Sequence, residues 1–284
     1  MRFAKYHGIG NDFVLVNGFR ESLTGLDFGT LASQICNRHF GVGADGLIFL
    51  TPGAQAPFAM RMFNPDGSES EMCGNGLRCL AAMIQDEGFD LEAPDAPDSY
   101  CLIETGAGVL GVRSDGREWE TDLGPYVTDP ERIGMVNAPQ RLPGSAALNL
   151  EVHLGETNFL AIPVGMGNPH LVVFVPEVAS VPISEWGPTL EHLPHFPART
   201  NVHFAELVGP NHLAMRPWER GAGATQACGT GAVATAVAAY LTERTGPDVT
   251  LDLPGGRVHA RIHEGRVSLV GPVAFVFRGE WTPR

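Results

Sequence analysis

Two short stretches of this chain carry residue types that do chemistry, and they are versions of one another. Met72-Cys73-Gly74-Asn75-Gly76 runs into the helix-like segment Leu77 to Ile84, and Ala227-Cys228-Gly229-Thr230-Gly231 runs into Ala232 to Ala239. Each sets one cysteine and a Gly-x-Gly at a helix N-terminus, where unpaired N–H groups and the positive end of the helix dipole favour anions. A thiol at such a place is drawn toward thiolate. Inverting a carbon stereocentre by proton transfer needs a base on one face and an acid on the other. Two thiols suit the task, because one is thiolate while the other stays protonated, and the roles swap for the reverse reaction. Cysteine's reference pKa of about 8.5 lies close enough to neutrality once neighbours tune it. The amides of Gly74, Asn75 and Gly76, with those of Gly229, Thr230 and Gly231, are placed to hold a carboxylate. Losing one fixed donor to a developing carbanion costs about 3 kcal/mol.

A bland account competes with each of these residues. One cysteine at a helix start is usually a small buried hydrophobe. The pairing favours the chemical reading, since both halves keep Cys-Gly-x-Gly at matched positions. Cys36, Cys79 and Cys101 have no such counterparts and read as structural. The five cysteines are odd in number and follow no zinc-site spacing, so no metal is expected, and a reduced cytosolic protein fits best. His170 follows the turn Gly167-Asn168-Pro169, and Glu219-Arg220 precede the second cysteine loop. A satisfied structural histidine and a surface ion pair are the rival accounts there. For Asn11 and Asn168, at matched turns, the rival is turn-forming asparagine.

The elements that position these residues repeat as well. Gly165-Met166-Gly167-Asn168 answers Gly8-Ile9-Gly10-Asn11 at an offset of 157 (8 to 165), and Thr200-Asn201-Val202 answers Ala44-Asp45-Gly46 at 156 (45 to 201). Ala214-Met215-Arg216 repeats Ala59-Met60-Arg61 at 155 (59 to 214), the same offset that separates Cys73 from Cys228. Four segments in one order at nearly one spacing indicate an internal duplication. A period this long means two like domains, because solenoid repeats run to a few tens of residues. Two like domains leave a cleft in which ligands tend to bind. Lys5 to Asp12 reads as turn chemistry, Phe13 to Val16, Leu47 to Leu50 and Phe58 to Phe63 as strands, and Leu31 to Arg38 as a helix. Residues 90–99, with two prolines, read as a loop. Cys101 to Thr105 and Gly108 to Val112 read as a strand pair. The pattern loosens around Leu123 to Pro143, where a domain crossing is expected. The tail from Gly271 is strand-like and is expected to return to the first domain. The resulting division is 1–123 with 271–284, and 124–270. Gly41-Val42-Gly43-Ala44-Asp45-Gly46 matches Gly-x-Gly-x-x-Gly literally, but a strand follows it where a dinucleotide loop needs a helix, so it reads as turn glycines.

Composition narrows the class. With 284 residues, 44% hydrophobic and 18% charged, 35 glycines and 22 prolines, the chain favours many short strands and turns over a helical bundle. A net charge of −13 argues against nucleic-acid partners. No run is long enough to span a bilayer, and Met1 to Gly8 has no cleavable apolar core, so neither a membrane partner nor a targeting segment is expected.

At these residues the chain resembles the diaminopimelate epimerases, pyridoxal-independent enzymes of lysine and peptidoglycan precursor biosynthesis. The resemblance rests on His7 to Phe13, Phe63 to Ser68, Cys73 to Cys79, Gly167 to His170, and Glu219 to Gly223 running on to Gln226 to Gly231. These motifs fall in family order. The resemblance implies two pseudo-symmetric α/β (α+β) domains from internal duplication, each a curled mixed or antiparallel sheet around a central helix. It implies interconversion of LL- and meso-diaminopimelate without a cofactor, with Cys73 and Cys228 as the acid/base pair. Gly74, Asn75, Gly229 and Thr230 would grip the reacting centre. Asn11, Asn64, Asn168, Asn201, Glu219 and Arg220 match substrate-binding positions, and His170 and Glu219 match positions that adjust the thiol pKa values. It also implies a homodimer, with Phe277 in the strand at that interface. The family often has Gln where this chain has Gly46, and usually Glu where it has Ala224. The alternatives are a proline or hydroxyproline racemase-like enzyme of the same fold, a phenazine-type isomerase, a non-catalytic amino-acid binding module and a thiol redox sensor. Asn64, Asn201 and Arg220, which would serve a second amino-acid group, distinguish the diaminopimelate reading from one with a compact ring substrate.

Overall fold

The computed structural model describes residues 1–89 and 100–282, so the loop expected over 90–99 lies outside the described residues. The chain divides into two compact units, Met1–Asp122 with Gly271–Arg284, and Leu123–Val270. In chain order the first contains β1 (Arg2–Gly8), β2 (Asn11–Asn17), α1 (Phe28–Ile35), β3 (Gly46–Pro52), β4 (Phe58–Phe63), β5 (Glu69–Ser70), α2 (Gly74–Asp86), β6 (Cys101–Thr105), β7 (Gly108–Ser114) and β8 (Trp119–Pro125), whose last residues pass into the second. The second continues with α3 (Pro130–Ile133), β9 (Leu150–Leu154), β10 (Thr157–Gly165), β11 (Pro169–Phe174), α4 (Ile183–Glu191), β12 (Asn201–Gly209), β13 (His212–Glu219) and β14 (Gly223–Ala224). It ends with α5 (Gly229–Leu241), β15 (Asp248–Leu253), β16 (Gly256–His263) and β17 (Arg266–Gly271). A last strand, β18 (Ala274–Glu280), belongs to the first unit and pairs antiparallel with β1.

The two units share one mixed topology. In the first, β1–β2 and β3–β4 are antiparallel, β2–β3 and β4–β6 parallel, and β6–β7–β8 an antiparallel meander. In the second, β10–β11 and β12–β13 are antiparallel, β11–β12 and β13–β15 parallel, and β15–β16–β17 antiparallel. The hairpins β4–β5 and β13–β14 complete the correspondence. The position that β9 takes beside β10 is filled in the first unit by β18 beside β1.

Alternation along the strands sorts the first unit's side chains to two faces. Phe13, Leu15, Ile48 and Leu50 join Leu77, Leu80 and Met83 of α2 in one core, while Val14, Val16, Leu47 and Phe49 join Leu31 and Ile35 of α1 in another. Because both faces are covered, β2 and β3 read as continuous apolar runs. Helix α2 meets β1, β2 and β3 and also β7, so the sheet bends round it, and Gly74 to Ile84 are all buried. Helix α5 likewise meets β10, β11, β12, β15 and β16, and is lined with Ala and Val along its buried length. A helix apolar all round belongs in a core.

Three sequence expectations shift. The turn expected over Lys5 to Asp12 shrinks to Ile9-Gly10, because β1 and β2 pair down to Gly8 opposite Asn11. Both turn residues hold positive φ, 47° at Ile9 and 84° at Gly10, as a two-residue hairpin requires. Helix α1 starts at Phe28, three residues before the Leu31 start read from apolar spacing, because Asp27 accepts from Thr30 N–H as its N-cap. In the repeat, Gly46 and not Asp45 corresponds to Asn201: Gly46 lies opposite Phe13 as Asn201 lies opposite His170.

Candidate active site

Each unit carries half of the candidate machinery at the same place in its fold. Cys73 is the N-cap of α2 and Cys228 the N-cap of α5, both with extended backbone. The glycines that follow are poor helix formers, and packing explains the third position of each motif. A Cβ on Gly76 would lie 2.7 Å from Ile48 Cδ1 of β3, and one on Gly231 would lie 2.2 Å from His203 Cε1 of β12. Close approach of each first helical turn to its sheet requires glycine there.

In the first unit a one-way chain of donors passes beside Cys73. Arg78 Nη2 donates to Asn75 Oδ1 (2.7 Å), Asn75 Nδ2 to Asn11 Oδ1 (3.1 Å), and Asn11 Nδ2 to Asp45 Oδ2 (2.9 Å). A cation that only donates stands at one end and a carboxylate that only accepts stands at the other, which sets the orientation of both carboxamides. Cys73 Sγ approaches Asn11 Oδ1 at 3.7 Å. Arg38 holds Asp45 and Asp12 through ion pairs of 2.7 and 2.6 Å. Arg78 is fully buried, and its Nε and Nη1 have no hydrogen-bond partner among the described residues. Burial pushes its pKa below the ordinary value, while the thiols of Cys79 and Cys73 pull it back. Asn64 lies in the turn after β4 and donates to Ser68 Oγ at 3.0 Å.

In the second unit a carboxylate stands beside the thiol. Burial, then the Glu219 carboxylate, raise the Cys228 pKa well above its ordinary value. The Gly231 N–H and the Thr230 hydroxyl, 3.8 Å from Sγ, pull the other way. The helix-terminus argument alone would have made Cys228 a ready thiolate; desolvation and an adjacent anion outweigh it. Glu219 ends β13, and Thr225 Oγ1 donates to its Oε1 at 2.5 Å. His170 and His203 are fully buried. His170 Nε2 lies 2.7 Å from Asn168 Oδ1, and its Nδ1 lies 2.9 Å from His203 Nε2. Burial lowers both pKa values, that of His203 to about 3, with His203 and Arg220 adding to the effect on His170. Asn201 Nδ2 donates to the Pro169 carbonyl, and its Oδ1 accepts from the Arg220 N–H at 3.0 Å. The Arg220 side chain donates to the Ala198 carbonyl at 3.1 Å.

Cys73, Gly74, Asn75 and Asn11 thus form one local cluster. Cys228, Gly229, Thr230 and Glu219 form another, with His170, Asn168, Asn201 and Arg220 linked in the same unit. Phe277 lies on β18, its ring 5.8 Å from that of Phe3. Residue types alone passed over Arg78, Asp45, Thr225 and His203. The repeat held a signal for His203, since the same offset that relates the cysteines sets it against the apolar Ile48 (48 to 203). Among the described residues no helix is long and apolar enough to cross a membrane.

The model of the diaminopimelate epimerase family matches residues 3–128 and 162–276. A diaminopimelate epimerase of Synechococcus elongatus is 45% identical over 284 residues, covering 98% of this chain and 97% of that protein. Among solved structures, a phenazine biosynthesis protein of the PhzF family from Bacillus anthracis shares the fold at 17% identity. Its TM-score is 0.70, with 100% of this chain and 99% of that chain covered. A hydroxyproline epimerase from Agrobacterium vitis, with bound trans-4-hydroxy-L-proline, shares the fold at 14% identity. Its TM-score is 0.65, with coverage of 98% and 90%. The remote structures establish the architecture; the match over most of the length, joined to two cysteine-capped helices in a duplicated frame, shows that this chain belongs to the diaminopimelate epimerase family of isomerases.

Proposed function

We propose that the chain interconverts LL- and meso-2,6-diaminopimelate without a cofactor, with Cys73 and Cys228 serving one α-carbon from opposite faces. The observation that carries this reading is the matched placement of the two cysteines as N-caps of buried helices, in a chain of this family. One thiolate takes the α-proton, forming S–H as C–H breaks, and the other thiol returns a proton to the opposite face. Charge is conserved, and the thiolate has changed sides. The N–H groups at Gly74-Asn75 and Gly229-Thr230 would hold the carboxylate of the reacting centre, where fixed donors act most strongly as carbanion charge develops. Glu219, beside Cys228, supports a thiol at that position when the cycle begins. His170 serves as a neutral imidazole, with both ring nitrogens engaged. Asn11, Asn64, Asn168, Asn201 and Arg220 would bind the rest of the substrate. A cytoplasmic location is consistent with a biosynthetic role of this kind. Homodimerisation through β18 is supported by Phe275, Val276 and Phe277, three consecutive apolar residues that are all exposed.

The test is to incubate reduced protein with LL-diaminopimelate in heavy water, without pyridoxal phosphate, and follow the α-proton by NMR. Deuterium should appear with meso product, and Cys73→Ser and Cys228→Ser should each suppress inversion by at least about a hundredfold. Wild-type protein that leaves diaminopimelate unlabelled but labels proline or hydroxyproline would replace this reading with the racemase one.

A further inference from the structure

The second unit buries two histidines where its twin buries hydrocarbon. His170 lies opposite Asn201 in the β11–β12 pair, as Phe13 lies opposite Gly46 in β2–β3. His203 packs on Gly231 of α5, and Ile48 packs on Gly76 of α2 in the same way; Phe13 Cζ also lies near Gly76. Phe and Ile therefore satisfy the packing of this fold at these two positions. Hydrophobic burial gives no reason for the histidines, and each buried ring nitrogen carries a desolvation cost that must be met by a partner.

Two hydrogen-bonding patterns are compatible with the distances. In one, His203 Nε2–H donates to His170 Nδ1, and His170 Nε2–H donates to Asn168 Oδ1. In the other, the Asn168 carboxamide is flipped and donates to His170 Nε2, and His170 Nδ1–H donates to His203 Nε2. That leaves a proton on His203 Nδ1, which is buried and has no partner among the described residues. An orphaned buried N–H is the rarer defect, and a bare acceptor the more tolerable one. The first pattern is favoured. It also leaves the Asn168 NH2 group, on a half-buried residue, without a protein partner among the described residues.

We infer that His203 is a positioning residue: by donating to His170 it holds His170 in the Nε2–H tautomer, which turns the Asn168 carboxamide so that its NH2 is offered to a carboxylate of the substrate. The last step rests on the amino-acid substrate proposed above; the tautomer does not. His203 touches no substrate in this scheme and acts through two intervening groups, as supporting residues around a ligand commonly do. The first unit reaches the same end by other means, since Arg78 orients Asn11 through Asn75.

The decisive measurement is long-range proton–nitrogen correlation on protein labelled with ¹⁵N-histidine, comparing wild type, His203→Gln and His203→Glu. Glutamine keeps a donor for His170 Nδ1, and the isosteric glutamate carboxylate only accepts. Wild type should show both imidazoles protonated at Nε2, and the glutamine variant should keep that signature for His170. The glutamate variant should move the His170 proton to Nδ1 and raise KM by about tenfold or more with little change in kcat, the expected loss when a binding donor is no longer held in place. Finding His170 protonated at Nδ1 in wild type would overturn the inference. So would a glutamate variant with unchanged tautomer and KM, or a glutamine variant as damaged as the glutamate one. If wild type turned over no diaminopimelate isomer, the substrate reading would fail, while the nitrogen signals would still decide the tautomer.

Discussion

Cys228 meets opposed fields, and their balance decides its resting state. The end of α5 favours thiolate, while burial and Glu219 favour thiol. The Glu219→Gln variant keeps an acceptor for Thr225 but removes the negative charge. The Cys228 pKa should therefore fall, and thiolate absorbance should begin about one pH unit lower than in wild type. Epimerisation should slow by about tenfold or more, because the thiol would no longer be held ready to donate. An unchanged thiolate titration would show that burial alone controls this cysteine. The motifs made Cys228 and Glu219 legible as neighbours in the chain. Which influence prevailed was not legible, since burial depends on what packs against the thiol from elsewhere. Thr225 illustrates the point: nothing in its type separates it from any exposed threonine, yet its hydroxyl lies 2.5 Å from Glu219.

At the level of elements, Gly-x-Gly costs helix stability at the start of α2 and α5 and is kept for contact with the sheet. Gly231→Ala should raise intrinsic helix propensity by about 1 kcal/mol and still destabilise the protein. The new Cβ would overlap the His203 ring, for which overpacking penalties of about 1–3 kcal/mol are typical. Thermal unfolding should place this variant below wild type, and Gly231→Ala combined with His203→Ala should recover part of the loss. If the single variant were as stable as wild type, the close approach of α5 to β12 would not be the reason for glycine. The helices, the strand runs and the Cys-Gly-x-Gly pairing were readable because local periodicity and turn chemistry encode them. The ends were not, because capping by Asp27 and strand pairing down to Asn11 override local preference.

For the whole molecule, two consequences can be measured. His170 and His203 are held neutral by burial, so their folded-state pKa values lie below the free value of 6.5. Between pH 6.5 and about 3 the unfolded chain binds more protons than the folded one, given the His203 value. The associated stability is full above the unfolded pKa and is lost as pH falls through that window, on the order of 1 kcal/mol per pH unit for each histidine. Denaturant unfolding between pH 7 and 5 should show this acid slope, and the pair His170→Phe with His203→Ile, copied from Phe13 and Ile48, should flatten it. An equal slope in both proteins would assign acid sensitivity to other groups. The second consequence concerns β18, where Phe275, Val276 and Phe277 are 41–47% exposed. Sedimentation should show wild type at twice the chain mass and Phe277→Glu shifted toward monomer. A wild-type monomer, or a variant that remains dimeric, would remove β18 from the interface.

By itself the sequence determined the duplication, the two cysteine-capped helices, the strand-rich α/β character and the family, because each is written in short-range pattern or in matched segments. Tertiary structure alone decided which residues surround each thiol. Asn75 reaches Asn11 only because α2 lies against the β1–β2 hairpin, and His203 reaches His170 only because β11 and β12 pair in parallel register. Desolvation, the largest influence on Cys228 and both histidines, is a property of the assembled core and has no counterpart in any stretch of chain read alone.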